Sequence, residues 1–407
     1  MASTAVVRAD RRRPKDRKQQ IARASAEAFS ELGYHAVSME DIASRVGVTA
    51  ASLYRHYSGK YDLFRAAVLG LGEQQVAATA FVDADSDSQP AQLWERIVGA
   101  LIDTSIKNRA SGGLYRWEAR YLREPDQAVI NEQLKMVNRR LQRPLAQLHP
   151  ELGSRQRWVL SASVLSVIAS ITDHRTKLPA DEIRRLLADL ARRLRDVHLP
   201  PWAADDERRE PRGRPLDAAG EYELTLAAAL RLFHEHGYRE TGMDDIASAI
   251  GLPASSIYRF FSGKSALLTA IYRRAADRVS GDASTILATA PDARAAIERL
   301  IAAYVWRFLA VPELAYVYYA ERINVPPEDR ATLHNIQRAT VEAWARQVVA
   351  ACPDRSEVES RFAVQAAFGL VVDIGPMMAD VDTDSARSII TAFMRKLLLE
   401  EPVSDPH

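Results

Sequence analysis

Hydrophobic residues recur along the chain at the spacing of α-helices. Ile21, Ala28, Phe29 and Leu32 fall on one face of a helix, and Gly33 follows where a helix commonly ends. The same spacing continues in three longer stretches, 158–171, 183–194 and 362–372. Strand-type alternation with hairpin turns is absent from the sequence. The pattern predicts an all-α fold with about nine helices in each half.

The predicted elements occur twice. Residues 33–60 read GYHAVSMEDIASRVGVTAASLYRHYSGK, and residues 237–264 read GYRETGMDDIASAIGLPASSIYRFFSGK, without a gap between the paired positions. The offset of 204 residues is about half of the 407-residue chain. The sequence therefore predicts two copies of one unit joined head to tail. Residues 198–215 lie between the copies, carry four prolines and mixed charges, and are predicted to be a linker.

The first copy has the pattern of a helix-turn-helix motif. Ser38 and Asp41 form a Ser-x-x-Asp capping box at the start of a short helix. After a glycine turn, Thr49 is predicted to cap a second short helix over about 50–57, and a long helix begins at Lys60. The second helix of such a motif lies in the DNA major groove.

The second copy departs from the first at two caps. Gly242 stands where the first copy has its serine cap, and Thr241 is expected to take over the capping. Pro253 replaces Thr49, at a position near a helix start where proline is tolerated.

The side chains of the second short helix suit DNA. Small residues allow close approach to base edges, an arginine can pair with guanine, and tyrosine and lysine can bind phosphates. The residues expected at the DNA surface are Thr49, Ala50, Ala51, Ser52, Tyr54, Arg55, His56 and Lys60 in the first copy and Ser255, Ser256, Tyr258, Arg259 and Lys264 in the second. An ordinary three-helix core without DNA binding is the alternative for each copy.

The strings Asp41-Ile-Ala-x-x-x-Gly-Val-Thr and Leu53-Tyr-Arg-His-Tyr-Ser-Gly-Lys60 resemble the DNA-binding domain of the TetR/AcrR repressor family. The second copy resembles it equally, over about 50 residues in each half. The resemblance implies nine helices per unit and a C-terminal helical domain that binds an effector and dimerises. It places Thr49, Tyr54, Lys60, Tyr258 and Lys264 at phosphate contacts. Many members carry Lys or Arg near the positions of Ala50 and Ala51. Because this chain has neither there, Arg55, Arg259 and the basic segments 8–18 and 211–215 are expected to contact the bases instead.

The duplication makes the chain resemble a smaller group of proteins within this family. Together with the string Trp117-Glu-Ala-Arg-Tyr-Leu122, it resembles tandem repressors of mycobacterial mammalian-cell-entry (lipid import) operons. The organisation predicts six segments: a basic N-terminal arm (1–20), a first DNA-binding domain (21–70), a first helical regulatory domain (71–199), a linker or basic arm (200–219), a second DNA-binding domain (220–274) and a second helical regulatory domain (275–402).

Charge is concentrated in two arms although the chain as a whole carries only +1. Residues 8–18, which include Arg12 and Arg13, hold seven basic and two acidic residues. The second arm contains Pro211-Arg-Gly-Arg-Pro215, which resembles the AT-hook core. There Arg212 and Arg214 would enter an A·T minor groove. A solvated tail and a plain linker are the respective alternatives.

Aromatic residues mark candidate effector sites. Apolar pockets with a few polar groups are typical of small-molecule sites. The candidates are Trp117, Glu118, Tyr121, Tyr304, Tyr319 and Trp344. Core packing is the alternative for the aromatic residues, and an ion pair is the alternative for Glu118. The expected effector is a lipid, a steroid-like molecule or an acyl thioester.

Other classes of function find little support. Cys352 is the only cysteine, and catalytic or phosphate-binding motifs are absent from the sequence. We therefore expect no enzyme activity, no cofactor, no metal and no membrane partner, in a cytoplasmic, nucleoid-associated protein.

The sequence as a whole predicts a single-chain, ligand-responsive repressor. The helices around 158–176 and 183–197 are expected to pack against those around 361–379 and 386–400, as an intramolecular pseudo-dimer. Because the copies differ at His56 and Phe260, among other positions, the operator is predicted to have unlike half-sites. Further association of whole chains is compatible with the sequence. The rival functions are an architectural binder of A·T-rich DNA without effector control and a ligand-binding scaffold with a vestigial second DNA head.

Overall fold

The computed structural model describes residues 14–200, 220–378, 381 and 383–399. Their regular structure is entirely helical, as the hydrophobic spacing predicts. The α-helices of the first half are α1 (Pro14–Leu32), α2 (Met39–Val46), α3 (Ala50–Tyr54), α4 (Lys60–Ala78), α5 (Pro90–Lys107), α6 (Glu124–Leu148), α7 (Ser154–Ala169) and α8 (Ala180–Arg195). Those of the second half are α9 (Glu221–His236), α10 (Met243–Ala249), α11 (Ala254–Tyr258), α12 (Lys264–Thr289), α13 (Ala293–Ala310), α14 (Pro312–Ala320), α15 (Pro327–Ala351), α16 (Glu357–Ile374) and α17 (Thr383–Leu398).

The described part of the first half has one α-helix fewer than the nine predicted. The difference lies at the segment corresponding to α14. In the first half this segment is a π-helical turn over Leu114–Glu118 followed by a 3-10 turn over Ala119–Tyr121. π-helical turns are rare and occur often at functional sites.

The chain forms two compact units. The first unit runs up to Ala77 and includes Asn108–Lys135, and the second comprises Ala78–Lys107 and the chain from Met136 onward. We call α1–α4 the first head, which lies in the first unit apart from the last residue of α4. We call α9–α12 the second head, which lies in the second unit.

Each head encloses its own hydrophobic core. In the first head, Phe29 and Phe64 are fully buried and meet edge to face, with ring centroids 5.3 Å apart. Leu114 and Leu122 join this core from the segment that precedes α6. In the second head, Val317 and other residues around α14 join the corresponding core. Each core is therefore completed by residues from the segment that precedes the next long helix, α6 or α15.

The second unit also joins helices from both halves. Helix α7 packs against α16, and α8 packs against α17. The Ser166 hydroxyl donates a hydrogen bond to the Asp373 carboxylate between α7 and α16. The His174 ring meets Phe362 edge-on at 4.5 Å between centroids. The packed helices lie close to the ranges that the sequence predicted for this contact.

One helical segment of the described chain is long and apolar enough to span a membrane. It runs over Glu357–Met378, and 72% of its most apolar window is buried inside the protein. The bent pair Ala293–Ala310 and Pro312–Ala320 passes the same test only if the two helices are taken as one span. Core helices pass such a test as well, and α16 is packed on α7, α15 and α17.

Candidate nucleic-acid interface

The first head has the predicted capping box. The Ser38 hydroxyl accepts a hydrogen bond from the backbone N–H of Asp41 at 3.1 Å, and the Asp41 carboxylate accepts one from the backbone N–H of Ser38 at 2.8 Å. Hydrogen bonds from the Ser38 hydroxyl and backbone hold the pKa of Asp41 below its ordinary value. Gly47 ends α2 with φ of 68°, a left-handed conformation that favours glycine.

The recognition helix α3 is shorter than predicted. It ends at Tyr54, and Arg55 and His56 lie in the turn that follows. The prediction that Thr49 caps α3 is wrong in detail: Thr49 occupies the N-cap position, but its side chain makes no cap hydrogen bond. Its exposed hydroxyl remains available to a ligand such as a phosphate.

In the second head, the prediction that Thr241 replaces the missing serine cap is wrong. Gly242 is the N-cap residue, and the Asp245 carboxylate accepts a hydrogen bond from its backbone N–H at 2.7 Å. Thr241 is buried, and its hydroxyl donates to the carbonyl groups of Leu232 and Gly237. The second head therefore retains only half of the capping box.

The two recognition helices expose corresponding residues. Tyr54 and Tyr258 are each 54% exposed, whereas Leu53 and Ile257 are fully buried beneath them. The other candidates for DNA contact on these helices and turns divide by exposure as follows: Ala51, Arg55, His56, Ser255 and Arg259 are exposed, and Ala50, Ser52 and Ser256 are partly buried. The arrangement leaves tyrosine and arginine side chains accessible at the end of each recognition helix.

The lysines that begin the long helices bind the interior of their own heads. The Lys60 ammonium donates to the carbonyl group of His35 at 3.0 Å and lies 4.7 Å from the centre of the Tyr34 ring. Lys264 donates to the carbonyl groups of Arg239 and Thr241 in the same way. Burial lowers the pKa of Lys264. The phosphate contacts expected of both lysines stay predictions.

The two recognition arginines differ in their surroundings. Arg55 makes no hydrogen bond, ion pair or ring contact with another residue of the described chain. The guanidinium of Arg259 forms an ion pair with Glu221 at the start of α9. Sequence reasoning missed Glu221, although the repeat aligns it with Arg17 and so signals a reversal of charge. The predicted arm residues Arg12, Arg13, Arg212 and Arg214 lie outside the described residues.

Two buried glutamates connect the heads to the segments that follow α5 and α13. The Glu118 carboxylate accepts a hydrogen bond from the backbone N–H of Tyr34 at 2.8 Å, and Glu321 accepts one from Tyr238 at 3.1 Å. Glu118 is 4% exposed and Glu321 is fully buried. The sequence analysis predicts Glu118 at an effector site. In the structure, its carboxylate binds the backbone of Tyr34 in the first head. The repeated order Tyr-x-x-Glu, at 115–118 and 318–321, is the sequence signal that pairs the two glutamates.

The other candidate effector residues fall into separate places. Tyr121 packs against the first head, with its ring 4.7 Å from that of His35. Trp117 is buried beneath the guanidinium of Arg116. Tyr319 is buried beside Tyr318. These three are not brought together with Tyr304 and Trp344 by any ring contact in the described chain.

Tyr304 and Trp344 do meet, and Phe368 completes the cluster. The Tyr304 ring stacks on Phe368 at 4.5 Å, and the Trp344 ring meets Phe368 edge-on at 5.0 Å. Burial raises the pKa of the Tyr304 hydroxyl. The indole N–H of Trp344 is buried without a hydrogen-bond partner among the described residues. A buried donor without a partner is costly, and an effector with an acceptor atom would relieve that cost.

Two helix-turn-helix units with accessible tyrosine and arginine side chains define a DNA-binding protein of the helix-turn-helix class. Comparison with known proteins agrees. The family model "Bacterial regulatory proteins, tetR family" matches the chain twice, at residues 21–67 and 226–271.

Curated relatives match over parts of the chain. The transcriptional repressor KstR2 of Rhodococcus jostii is 30% identical over 142 residues, which are 34% of this chain and 70% of that protein. The transcriptional activator FasR of Mycolicibacterium smegmatis is 45% identical over 56 residues, which are 14% of this chain and 26% of FasR. The chain thus matches about a quarter of FasR's length and somewhat more than two thirds of KstR2's.

Solved structures of similar proteins show lower identity. A TetR-family regulator from Bordetella parapertussis is 17% identical, with 44% of this chain and 93% of that chain covered and a TM-score of 0.40. The ketosteroid regulator KstR2 of Mycobacterium tuberculosis is 20% identical, with 42% and 89% covered and a TM-score of 0.37. The sequence matches carry the assignment: the chain belongs to the TetR family of bacterial transcriptional regulators, in tandem form. Members of this family are DNA-binding proteins and not enzymes.

Proposed function

We propose that the chain is a ligand-responsive transcriptional repressor whose two heads bind unlike half-sites of one operator. The packing of α7 on α16 and of α8 on α17 is the observation that carries this proposal. It joins the two halves of one chain as two subunits would be joined. A covalently linked partner has a high effective concentration, so a DNA-reading pair forms without a second chain.

The contact between the halves uses unlike residues. Asp373 accepts its hydrogen bond from Ser166, whereas the 203-residue offset that pairs Glu118 with Glu321 aligns Asp373 with Ser170. The recognition helices and the turns that follow them, residues 50–56 and 254–260, also differ, with His56 in the first and Phe260 in the second. Different side chains in the two heads favour different base pairs, so unlike half-sites follow.

The proposed effector is an apolar molecule that carries a hydrogen-bond acceptor. Tyr304, Trp344 and Phe368 provide aromatic surface, and the indole N–H of Trp344 provides the donor. A lipid, a steroid-like molecule or an acyl thioester combines these features. Its binding would favour a conformation in which the heads no longer fit the operator together. The six-segment division from the sequence and a cytoplasmic, nucleoid-associated location belong to the same proposal.

Selection of DNA by the full chain tests the proposal. Duplexes enriched from a random library are footprinted, and the mass of the complex gives the number of chains per duplex. We expect one chain to protect two unlike half-sites whose centres are about one helical turn apart, roughly 34–36 Å. A strict palindrome with symmetric protection would contradict the proposal. Equal competition by scrambled DNA would instead favour an architectural DNA binder.

A further inference from the structure

The two heads carry opposite charge over equivalent residues. Residues 17–60 contain six basic and four acidic side chains, whereas residues 221–264 contain four basic and six acidic side chains. Non-specific affinity for DNA comes mainly from cations that replace the counterions of phosphates. The second head is therefore expected to contribute less of this affinity than the first.

The difference is concentrated beside the recognition helix. In the first head, Arg17 and Lys18 are exposed at the start of α1, and the Lys18 ammonium lies 6.0 Å from the centre of the Tyr57 ring. Tyr57 follows the recognition segment that ends with Arg55 and His56. The start of α1 thus places the Lys18 ammonium next to the residues expected to meet DNA, with the exposed Arg17 immediately before it in the chain.

The same place in the second head holds an acid and two aromatic rings. Glu221, Tyr222 and Phe260 stand at the positions of Arg17, Lys18 and His56. The Tyr222 and Phe260 rings meet edge-on at 5.7 Å and are 37% and 46% exposed. None of the three can supply a cation to a phosphate, and the Glu221 carboxylate repels one.

Most of the basic residues that remain near this surface are paired with acidic side chains. Arg259 is paired with Glu221, and Arg274 donates to Glu223 at 2.8 Å. Arg273 forms an ion pair with Asp329. Arg278 lines the same groove as Tyr222 and Phe260 but lies 14 residues beyond the start of α12, about 21 Å along the helix from Lys264. Because exposed ion pairs are individually weak, a phosphate can compete for Arg259, but the acidic partner stays beside it.

We propose that the first head supplies most of the chain's affinity for DNA phosphates and that the second head binds its half-site weakly. The inference rests on the proposed function, in which both heads contact DNA. Glu221 is the residue that most lowers the DNA affinity of the second head, because its carboxylate both pairs with Arg259 and repels the DNA phosphates.

Neutralising the charges at equivalent positions of the two heads should have opposite effects on the affinity for DNA. Binding of the full chain to its own selected duplex is measured by fluorescence anisotropy from 50 to 300 mM salt. The variant Arg17→Gln/Lys18→Gln should raise Kd about tenfold and reduce the slope of log K against log salt by about 2. Glu221→Gln should lower Kd about threefold, since it removes a negative charge from the interface.

A matched control separates local from general charge effects. Asp181 is exposed at the start of α8, outside the heads, and Asp181→Asn changes the net charge of the chain by the same amount as Glu221→Gln. The control should leave Kd within twofold of the unmodified chain. Circular dichroism confirms that each variant keeps its helical content and melting temperature.

Three results would overturn the inference while leaving the proposed function intact. They are weaker or unchanged binding by Glu221→Gln, the same gain from Asp181→Asn, and no loss from Arg17→Gln/Lys18→Gln. The transplant Glu221→Arg/Tyr222→Lys/Phe260→His is a second arm of the test and should lower Kd about tenfold, and unchanged binding by the transplant would also overturn the inference. Failure of the full chain to enrich any duplex would instead contradict the proposed function.

Discussion

Phe29 and Leu63 in the first head have Phe233 and Leu267 as their counterparts in the second, and all four are fully buried. On the surface, by contrast, Arg17 corresponds to Glu221 and His56 to Phe260. The interior preserves a four-helix fold in both copies because almost any change in a packed core costs stability. Surface positions are free of that cost, so the two heads have kept one fold while their charge has diverged.

The glutamate contacts, like the core residues, are the same in both heads. Glu118 and Glu321 bind the backbone N–H groups of Tyr34 and Tyr238, each just after a glycine with positive φ. Each contact connects a head to the segment that precedes the next long helix. The heads therefore differ in surface charge but share the same hydrogen bond to the segment that precedes the next long helix.

The largest effects should come from removing these two carboxylates. Glu118→Ala and Glu321→Ala each leave a backbone N–H without its buried, charged acceptor, at a cost of about 2–3 kcal/mol. Hydrogen exchange of peptides covering 33–38 and 237–242, followed by mass spectrometry, should accelerate at least about thirtyfold in the affected head alone.

Conservative variants show whether hydrogen bonding or packing is responsible. Glu118→Gln and Glu321→Gln keep an acceptor oxygen and should recover most of the protection. Acceleration in only one of the two heads would break the parallel between the glutamate contacts. Unchanged exchange in both would show that neither carboxylate secures its head.

Local sequence patterns predicted the helical fold and both helix-turn-helix units well. Ser38 and Asp41 are three residues apart, so their capping box is readable without any tertiary information. The bond from Tyr34 to Glu118 spans 84 residues, and the ion pair between Arg259 and Glu221 spans 38. Such contacts depend on how helices pack, which helical periodicity does not specify. For the same reason, the sequence alone does not predict that the Glu118 carboxylate binds the backbone of Tyr34.

The next largest effects should come from alanine substitution of Arg55 and Arg259, which should weaken DNA binding to different extents. Arg55→Ala should cost about 2 kcal/mol of binding free energy, because Arg55 is free to contact a base or a phosphate. Arg259→Ala should cost less than about 1 kcal/mol, because its ion pair with Glu221 already offsets part of its charge. The measurement is Kd for the selected duplex at one salt concentration.

The double variant Arg259→Ala/Glu221→Ala sharpens this test. It should bind DNA at least as tightly as the unmodified chain, since the repulsive carboxylate leaves together with the cation. Equal losses for Arg55→Ala and Arg259→Ala would show that the two heads use their arginines alike and that the ion pair yields to DNA.

The smallest effect concerns the cap of the second helix in each head. Ser38→Ala should cost about 1 kcal/mol of unfolding free energy, and Gly242→Ser should add a few tenths of 1 kcal/mol. The backbone at Gly242, with φ of −95° and ψ of 167°, matches that of Ser38 at −103° and 168°. A Cβ at Gly242 would lie 3.1 Å from the Asp245 carboxylate, a flexible group that can move to accept a serine hydroxyl. Urea unfolding monitored by circular dichroism measures both changes, and a loss of stability in Gly242→Ser would mean that the second head has adapted its first turn to glycine.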